Sequence, residues 1–167
     1  MRDIKIRLQP LTREAFAPYG DVIEVNENNN IMAINYGKTE RHHDLANIDV
    51  NDQGGKPIVN IFNSQPVSLP FTIKVMERHP LGSQAFINMG KQPYVVVVGK
   101  AGEFDIDNLQ GFIAQEHQGV NYHKGTWHHY SLCLNEVSQF LVIDRGGEGH
   151  NCDEEAIPEN INLIIES

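Results

Sequence analysis

The sequence predicts a single, mainly β domain, a sandwich or barrel with one or two short helices. Short segments rich in β-branched and aromatic residues recur at near-regular spacing, and Gly, Pro, Asn and Asp separate them. The length of 167 residues, with 40% hydrophobic and 21% charged residues, fits one globular domain with its own core. No internal repeat or long linker interrupts the pattern, so we take residues 1–167 as one domain.

The first predicted element is a short helix. Thr12 is a favourable N-cap, residues 13–16 would form the first turn, and Pro18 with Gly20 would end it. The residues after it are mostly β-prone, and the predicted strands are 21–25, 31–36, 58–62, 71–76, 94–98, 111–114, 128–134 and 140–143. Residues 47–57 predict a loop, and residues 161–165 fit a further strand or an edge helix.

Charge and hydropathy exclude several classes of function. The net charge of −9 argues against binding nucleic acid through its phosphates. The longest apolar run, residues 94–98, is far shorter than the ~20 residues of a membrane helix, and the N-terminus has no apolar signal segment. We therefore expect a cytoplasmic protein without a nucleic-acid or membrane partner.

The two cysteines form neither a disulfide framework nor a paired zinc motif. Cys133 lies in an apolar segment and is expected to be a small buried hydrophobic residue. Cys152 lies in a polar segment, and the sequence assigns it no role.

The first segment that carries chemistry is residues 71–80. Side chains alternate across a strand, so one face would carry Phe71, Ile73, Val75, Glu77 and His79. This apolar face is the inner one, which would point the carboxylate of Glu77 and the imidazole of His79 into the barrel near its end. Such groups are costly inside a protein unless they are paired or bind a ligand. The segment therefore predicts a site at the mouth of the barrel.

The second segment is residues 119–130. Residues 124–126 predict a turn, which would place His128 at the start of the following strand. The face that His128 would share with Tyr130, Leu132 and Leu134 is apolar, so His128 is also expected to point inward.

Together the two segments resemble the two halves of the cupin metal-site pattern. The first half reads Glu77-x-His79, then Gln84 and Gly90, and the second reads Gly125-x-x-His128. The candidate metal ligands are therefore Glu77, His79, Gln84 and His128. Glu stands in place of a His and Gln in place of a Glu, so a divalent metal would be held less tightly than in the full pattern. The pocket could also work without metal, with Glu77 as general base and His79 or His128 as general acid.

Two further polar clusters have open interpretations. Residues 40–45, with the sequence ERHHDL, fit either a solvated loop or a lid or partner-subunit segment in which Arg41 or His43 reaches a substrate carboxylate. Asp144 and Arg145 follow a buried strand and could form a structural ion pair or belong to the site.

Several long blocks resemble the bacterial ureidoglycolate lyase family. They are INYG (34–37), ERHHDLA (40–46), ERHPLGSQAFI (77–87), GVNYH (119–123), WHH (127–129), IDRGG (143–147) and NCD (151–153). The resemblance runs from about residue 11 to residue 158. Uncommon sequences such as ERHPLG make it far more specific than half of a cupin motif.

The resemblance implies a jelly-roll, cupin-like β-barrel, a homodimer, and cleavage of (S)-ureidoglycolate into glyoxylate and urea in allantoin breakdown. It also implies one divalent metal, with nickel the first candidate, and no organic cofactor. Glu77 would be the base, acting directly or through the metal, and His79 or His128 the acid or a ligand. The residues expected to bind substrate are Arg41, His43, Tyr122, His123 and Arg145.

Two other readings remain open from the residues. Another metal-dependent cupin enzyme, an oxygenase or isomerase, would require tight metal binding, and the missing His in the first half counts against it. A non-catalytic cupin that binds a small acid would need less acid–base capacity than Glu77 and two inward histidines provide.

Overall fold

The computed structural model describes residues 1–167 and is built almost entirely from β-strands, which form two large sheets and one hairpin. The strands are β1 (Arg2–Pro10), β2 (Gly20–Ile23), β3 (Asn30–Ile34), β4 (Thr39–His43), β5 (Lys56–Ser64), β6 (Phe71–Thr72), β7 (Val75–Arg78), β8 (Gln84–Asn88), β9 (Tyr94–Gly99), β10 (Gln110–Ala114), β11 (Gly119–Tyr122), β12 (Trp127–His128), β13 (Leu132–Cys133), β14 (Ser138–Gly146), β15 (Asp153–Ala156) and β16 (Ile161–Glu166). The helices are α1 (Arg13–Phe16) and the 3₁₀ helices Asp52–Gly54 and Ile106–Asn108.

The larger sheet has the strand order β15-β7-β12-β9-β10-β1-β16-β6, with β13 also paired to β9. The smaller sheet has the order β2-β11-β8-β14-β5, and β3 and β4 pair only with each other. The larger sheet curls, and the smaller sheet packs against one of its faces. The cupin-like, mainly β fold predicted from the sequence is therefore confirmed.

The core has two parts because β9 is buried on both faces, which accounts for its continuous apolar sequence. Tyr94, Val96 and Val98 point into the space between the two sheets, whereas Val95 and Val97 point to the opposite face. The inter-sheet part also contains aromatic residues: Phe16, Tyr19, Phe86, Phe112, Tyr122 and Phe140. The candidate site lies at one end of this inter-sheet core.

The predicted helix is confirmed. The side chain of Thr12 accepts a hydrogen bond from the backbone N–H of Ala15 at 3.1 Å, which caps α1, and Phe16 is fully buried at its end. The C-terminal segment resolves as a strand, since β16 pairs in parallel with β1. No helix in the structure has the length and apolar character needed to cross a membrane.

The strand predicted over residues 71–76, with a regular continuation to residue 79, is interrupted in the structure. The segment changes partner: β6 pairs with β16, and β7 pairs with β12 and β15. The change interrupts the alternation, so Ile73 and Met76, which were predicted on opposite faces, both pack in the second core part. Glu77 consequently does not share a face with Ile73, yet it points toward His128 as expected.

The strand predicted over residues 128–134 is also interrupted. It divides into β12 and β13, and Tyr130, predicted to point inward with His128, is 51% exposed between them. Leu132 packs in the second core part rather than on the face of His128. Cys133 is fully buried, as predicted.

Candidate active site

A row of paired residues across three neighbouring strands builds the site. His128 on β12 pairs with Glu77 on β7, and Glu77 in turn pairs with Glu154 on β15. Directly opposed residues of antiparallel strands share a face, so these three side chains lie side by side. His79 follows the end of β7, and its ring centroid lies 5.0 Å from that of His128.

Three of the predicted site residues therefore come together. The Nε2 atom of His128 lies 3.5 Å from Oε1 of Glu77, and one donor atom each of Glu77, His79 and His128 lies within 4.8 Å of the others. His128 is only 1% exposed, whereas Glu77 and His79 are partly buried. This arrangement is a possible metal-binding site.

Backbone carbonyl groups fix the tautomers of both histidines. Nδ1 of His128 donates to the carbonyl of Thr126 at 3.1 Å, and Nδ1 of His79 donates to the carbonyl of Asn151 at 2.8 Å. A carbonyl oxygen can only accept, so the proton of each neutral ring is assigned to Nδ1. Both Nε2 atoms are then unprotonated, and both are buried without a hydrogen-bond partner.

Two unpartnered nitrogen lone pairs beside a carboxylate are unfavourable unless a cation or a proton lies between them. Histidines that bind metals commonly donate Nδ1–H to a carbonyl and ligate through Nε2, which is the arrangement of His79 and His128. Two imidazoles and one carboxylate suit a divalent transition metal. The residues present thus fit the metal that the sequence pattern predicts.

Burial and charge set the protonation states of the pair. Desolvation lowers the pKa of His128 below its ordinary value, although the neighbouring Glu77 opposes this shift. The close approach of the His128 ring, 3.5 Å from the carboxylate, lowers the pKa of Glu77, and this effect outweighs the opposing effect of burial. At neutral pH Glu77 is therefore ionised and His128 neutral, which leaves a carboxylate and an imidazole lone pair available.

Tyr122 and Gln84 adjoin this cluster. The Tyr122 ring stacks on His128 with centroids 4.2 Å apart and planes 6° apart, and burial raises the pKa of Tyr122. Gln84 pairs in register with Tyr122, and its side-chain nitrogen donates to Asp144 at 3.0 Å. Because Asp144 holds the NH₂ group, the carbonyl oxygen is the atom that Gln84 can offer to a metal or a substrate.

His43 and His123 lie together in a different place. They line a cavity of about 330 Å³ with Arg13 and Asp21, and Nε2 of His123 lies 3.2 Å from Oδ1 of Asp21. The lining of this cavity does not include the Glu77 cluster. The structure thus groups these two predicted substrate-binding residues with each other rather than with the three clustered residues.

The two arginines predicted to bind substrate, Arg145 and Arg41, lie in contrasting environments. Arg145 is 7% exposed, and its guanidinium donates to the backbone carbonyl groups of Asp52, Gln53, Gly147 and Glu148. These bonds favour a role in anchoring loops. The proposed ion pair with Asp144 does not form, because Asp144 accepts from the amides of Gln84 and Asn60 instead. Arg41 is exposed on β4 of the isolated hairpin.

Sequence reasoning missed two residues beside the cluster, Cys152 and Glu154. A donor atom of each lies within 4.8 Å of a carboxylate oxygen of Glu77. Their proximity depends on the pairing of β15 with β7, which joins segments nearly eighty residues apart. The only signal in the sequence was the NCD block at residues 151–153, which resembled the family but did not indicate that these residues contact Glu77.

A mainly β, curled fold with two imidazoles and a carboxylate converging at one end defines a cupin-like protein with a candidate metal centre. The family model described as ureidoglycolate lyase matches residues 3–164. A ureidoglycolate lyase of Burkholderia mallei (strain NCTC 10229) is 53% identical over 158 residues, covering 95% of this chain and 92% of the relative.

Relatives in a second genus are similar over a comparable length. A ureidoglycolate lyase of Pseudomonas entomophila (strain L48) is 44% identical, covering 96% of both chains, and one of Pseudomonas aeruginosa (strain LESB58) is 44% identical, covering 99% of this chain and 97% of the relative. The chain therefore belongs to the ureidoglycolate lyase family, as the blocks in its sequence indicated.

Proposed function

We propose that this chain is a carbon–nitrogen lyase that cleaves (S)-ureidoglycolate into glyoxylate and urea, a step of allantoin degradation. The observation that supports it most directly is the convergence of ionised Glu77 with two buried, unprotonated Nε2 atoms in a chain of this family. The cluster provides a carboxylate that can take the hydroxyl proton and imidazole nitrogens that can pass it to the leaving group, as the cleavage of this substrate requires.

The chemistry of the substrate defines what the site must do. One carbon of ureidoglycolate carries a hydroxyl group, a carboxylate and a ureido nitrogen. Cleavage removes the hydroxyl proton, the C–O bond becomes the aldehyde C=O, the C–N bond breaks, and the departing urea nitrogen takes up a proton. The net reaction needs no oxidant or hydride carrier, so no organic cofactor is required.

Each residue of the cluster has a role in this scheme. Glu77 accepts the hydroxyl proton, since its lowered pKa keeps it ionised at neutral pH. That proton passes from Glu77 to the unprotonated Nε2 of His79 or His128, which then delivers it to the urea nitrogen. The Tyr122 ring holds the His128 ring in place. The carbonyl oxygen of Gln84 accepts a hydrogen bond from the ureido N–H groups. The substrate carboxylate needs a cation, and Arg41 remains the candidate.

The proposed cofactor is one divalent transition metal held by Glu77, His79 and His128, with Gln84 as a weaker fourth ligand, and nickel is the first ion to test. Such an ion would polarise the substrate oxygen and favour loss of its proton. The three donor atoms lie within 4.8 Å of one another, close enough to ligate a single ion.

We also propose a cytoplasmic homodimer. The outer face of the smaller sheet is apolar: Val59 is 66% exposed and Ile61 50% exposed, and they pair with Ile143 and Leu141 of β14. An exposed apolar face of this kind supports an interface between protein subunits. Arg41 lies on a hairpin that pairs with no other strand, and we propose that it contributes to the site of the partner subunit.

The activity is tested by urea release from racemic ureidoglycolate, with an enzyme-free control because the substrate decays on its own. We expect release well above the control, loss of release on exhaustive chelation, and recovery when nickel or another divalent metal is restored. Release that persists in protein shown to be metal-free would support the lyase activity and exclude a requirement for metal. No release above the control with metal supplied would overturn the proposed function.

A further inference from the structure

The strand β15 brings a second group of metal-ligating side chains to the face of the site. Glu154 lies directly opposite Glu77 in the antiparallel ladder. One step beyond the ladder, the same register places Cys152 opposite His79, and Cys152 and Glu154 share a face because they are two residues apart. Three adjacent strands therefore present one continuous patch: Glu77, His79, His128, Cys152 and Glu154.

The pair of Glu77 and Glu154 is electrostatically unfavourable. Like charges directly opposite each other on neighbouring strands destabilise a sheet. Glu154 forms no ion pair, and the cations of this strand pair, Arg78 and His150, are both engaged by Asp153. The imidazoles beside Glu77 are those of His79 and His128, and the Nε2 atom of each is buried without a hydrogen-bond partner.

The thiol of Cys152 completes a triad. One donor atom each from Glu77, Cys152 and Glu154 lies within 4.8 Å of the others, and these atoms form a separate group from the triad of Glu77, His79 and His128. Cys152 is exposed and is not bonded to Cys133, so the thiol is available. A divalent cation between these groups would neutralise the opposed carboxylates and stabilise the thiolate.

We propose that Glu77, Cys152 and Glu154 bind a second divalent ion beside the first, with the carboxylate of Glu77 shared between the two. A thiolate with two carboxylates favours a borderline-soft ion such as Zn²⁺. Three protein ligands leave at least one coordination position open, as in exchangeable sites. This site does not depend on the proposed lyase activity.

Cadmium titration of the metal-free, full-length chain tests the second site, because Cd²⁺ bound to a thiolate gives an ultraviolet charge-transfer band. We expect two bound Cd²⁺ ions per chain by equilibrium dialysis with metal analysis, one of which produces the band. Cys152→Ser should lose the band and one ion. Glu154→Gln should weaken the affinity for the thiolate-bound ion by about tenfold or more. His79→Gln should lose the other ion and retain the band.

Glu155→Gln is the matched control, because Glu155 is exposed on the opposite face of β15 and should leave both ions in place. Circular dichroism of each variant verifies that it is folded. A wild-type chain without the band, a band that Glu154→Gln does not weaken, or one ion that contacts both histidines and the thiol would overturn the second site. Neither readout measures turnover, so failure of the lyase proposal would be seen separately in the urea assay.

Discussion

At the residue scale, Glu77 is the point at which the chemistry of the site converges. It pairs with His128 on one side and with Glu154 on the other, and it belongs to both potential metal triads. Its charge therefore determines whether the histidine lone pairs, the opposed carboxylate and a bound ion are mutually compatible.

The metal-free protein should lose stability as the pH falls. The folded state lowers the pKa of His128 below 6.5 and that of Glu77 below 4.5, so the unfolded chain binds more protons than the folded one in that range. The free energy of unfolding, measured by denaturant titration, should decrease from about pH 6.5 downward, first through His128 and then through Glu77. His128→Gln should flatten the upper part of this decline.

A free energy of unfolding that is constant or increases between pH 7 and pH 5 would contradict these protonation states. The same titration with divalent metal present provides a control, because a bound ion should displace the decline to lower pH.

The sequence grouped Glu77, His79 and His128 through the two halves of the cupin pattern, since the continuous apolar faces expected beside them are interrupted in the structure. It could not predict Cys152 or Glu154, since nothing local indicates that β15 pairs with β7. Nor could it show that Arg145 is engaged by loop carbonyl groups, because those bonds depend on the folding of residues 52–53 near residue 145.

At the scale of elements, strand pairing explains where sequence prediction succeeded and where it did not. The apolar run of β9 was predictable because both of its faces are buried. Residues 71–76 were predicted as one strand because their alternation is regular, but the segment changes from β16 to β15 as its partner after Thr72. The strand β1 was missed although Ile4, Ile6 and Leu8 alternate with exposed charged residues and pack in the second core part.

The close approach of β2 to β11 gives a prediction at this scale. A Cβ atom on Gly20 would lie 2.0 Å from the carbonyl oxygen of Asn121, so Gly20→Ala must displace one strand from the other. We expect a loss of about 2 kcal/mol or more in the free energy of unfolding, measured by urea denaturation.

Gly37→Ala is the control for this substitution. Gly37 has a φ of +81° in the turn of the hairpin, and a Cβ atom added to it would have no other atom within 4 Å, so only backbone strain of about 1 kcal/mol is expected. Equal losses for the two variants would contradict the close packing of β2 on β11.

At the scale of the whole molecule, the apolar outer face of the smaller sheet predicts self-association. Ile61→Lys places a charge in the middle of the proposed interface, and we expect sedimentation velocity to show a shift from dimer toward monomer. Val25→Lys changes a residue that is 76% exposed outside this face and should leave the dimer intact. A monomeric wild-type chain would contradict the proposed dimer. A dimer that persists in Ile61→Lys would show that the interface lies on another surface.

The most direct test of the central claim is urea release from ureidoglycolate by Glu77→Gln, measured beside the wild-type chain and Glu155→Gln. The substitution keeps the size of the side chain and removes its charge, so the fold should persist while the base is lost. We expect kcat to fall by about 10²–10⁴-fold in Glu77→Gln and to be unchanged in Glu155→Gln. Wild-type turnover in folded Glu77→Gln would show that cleavage does not occur at the centre formed with His79 and His128.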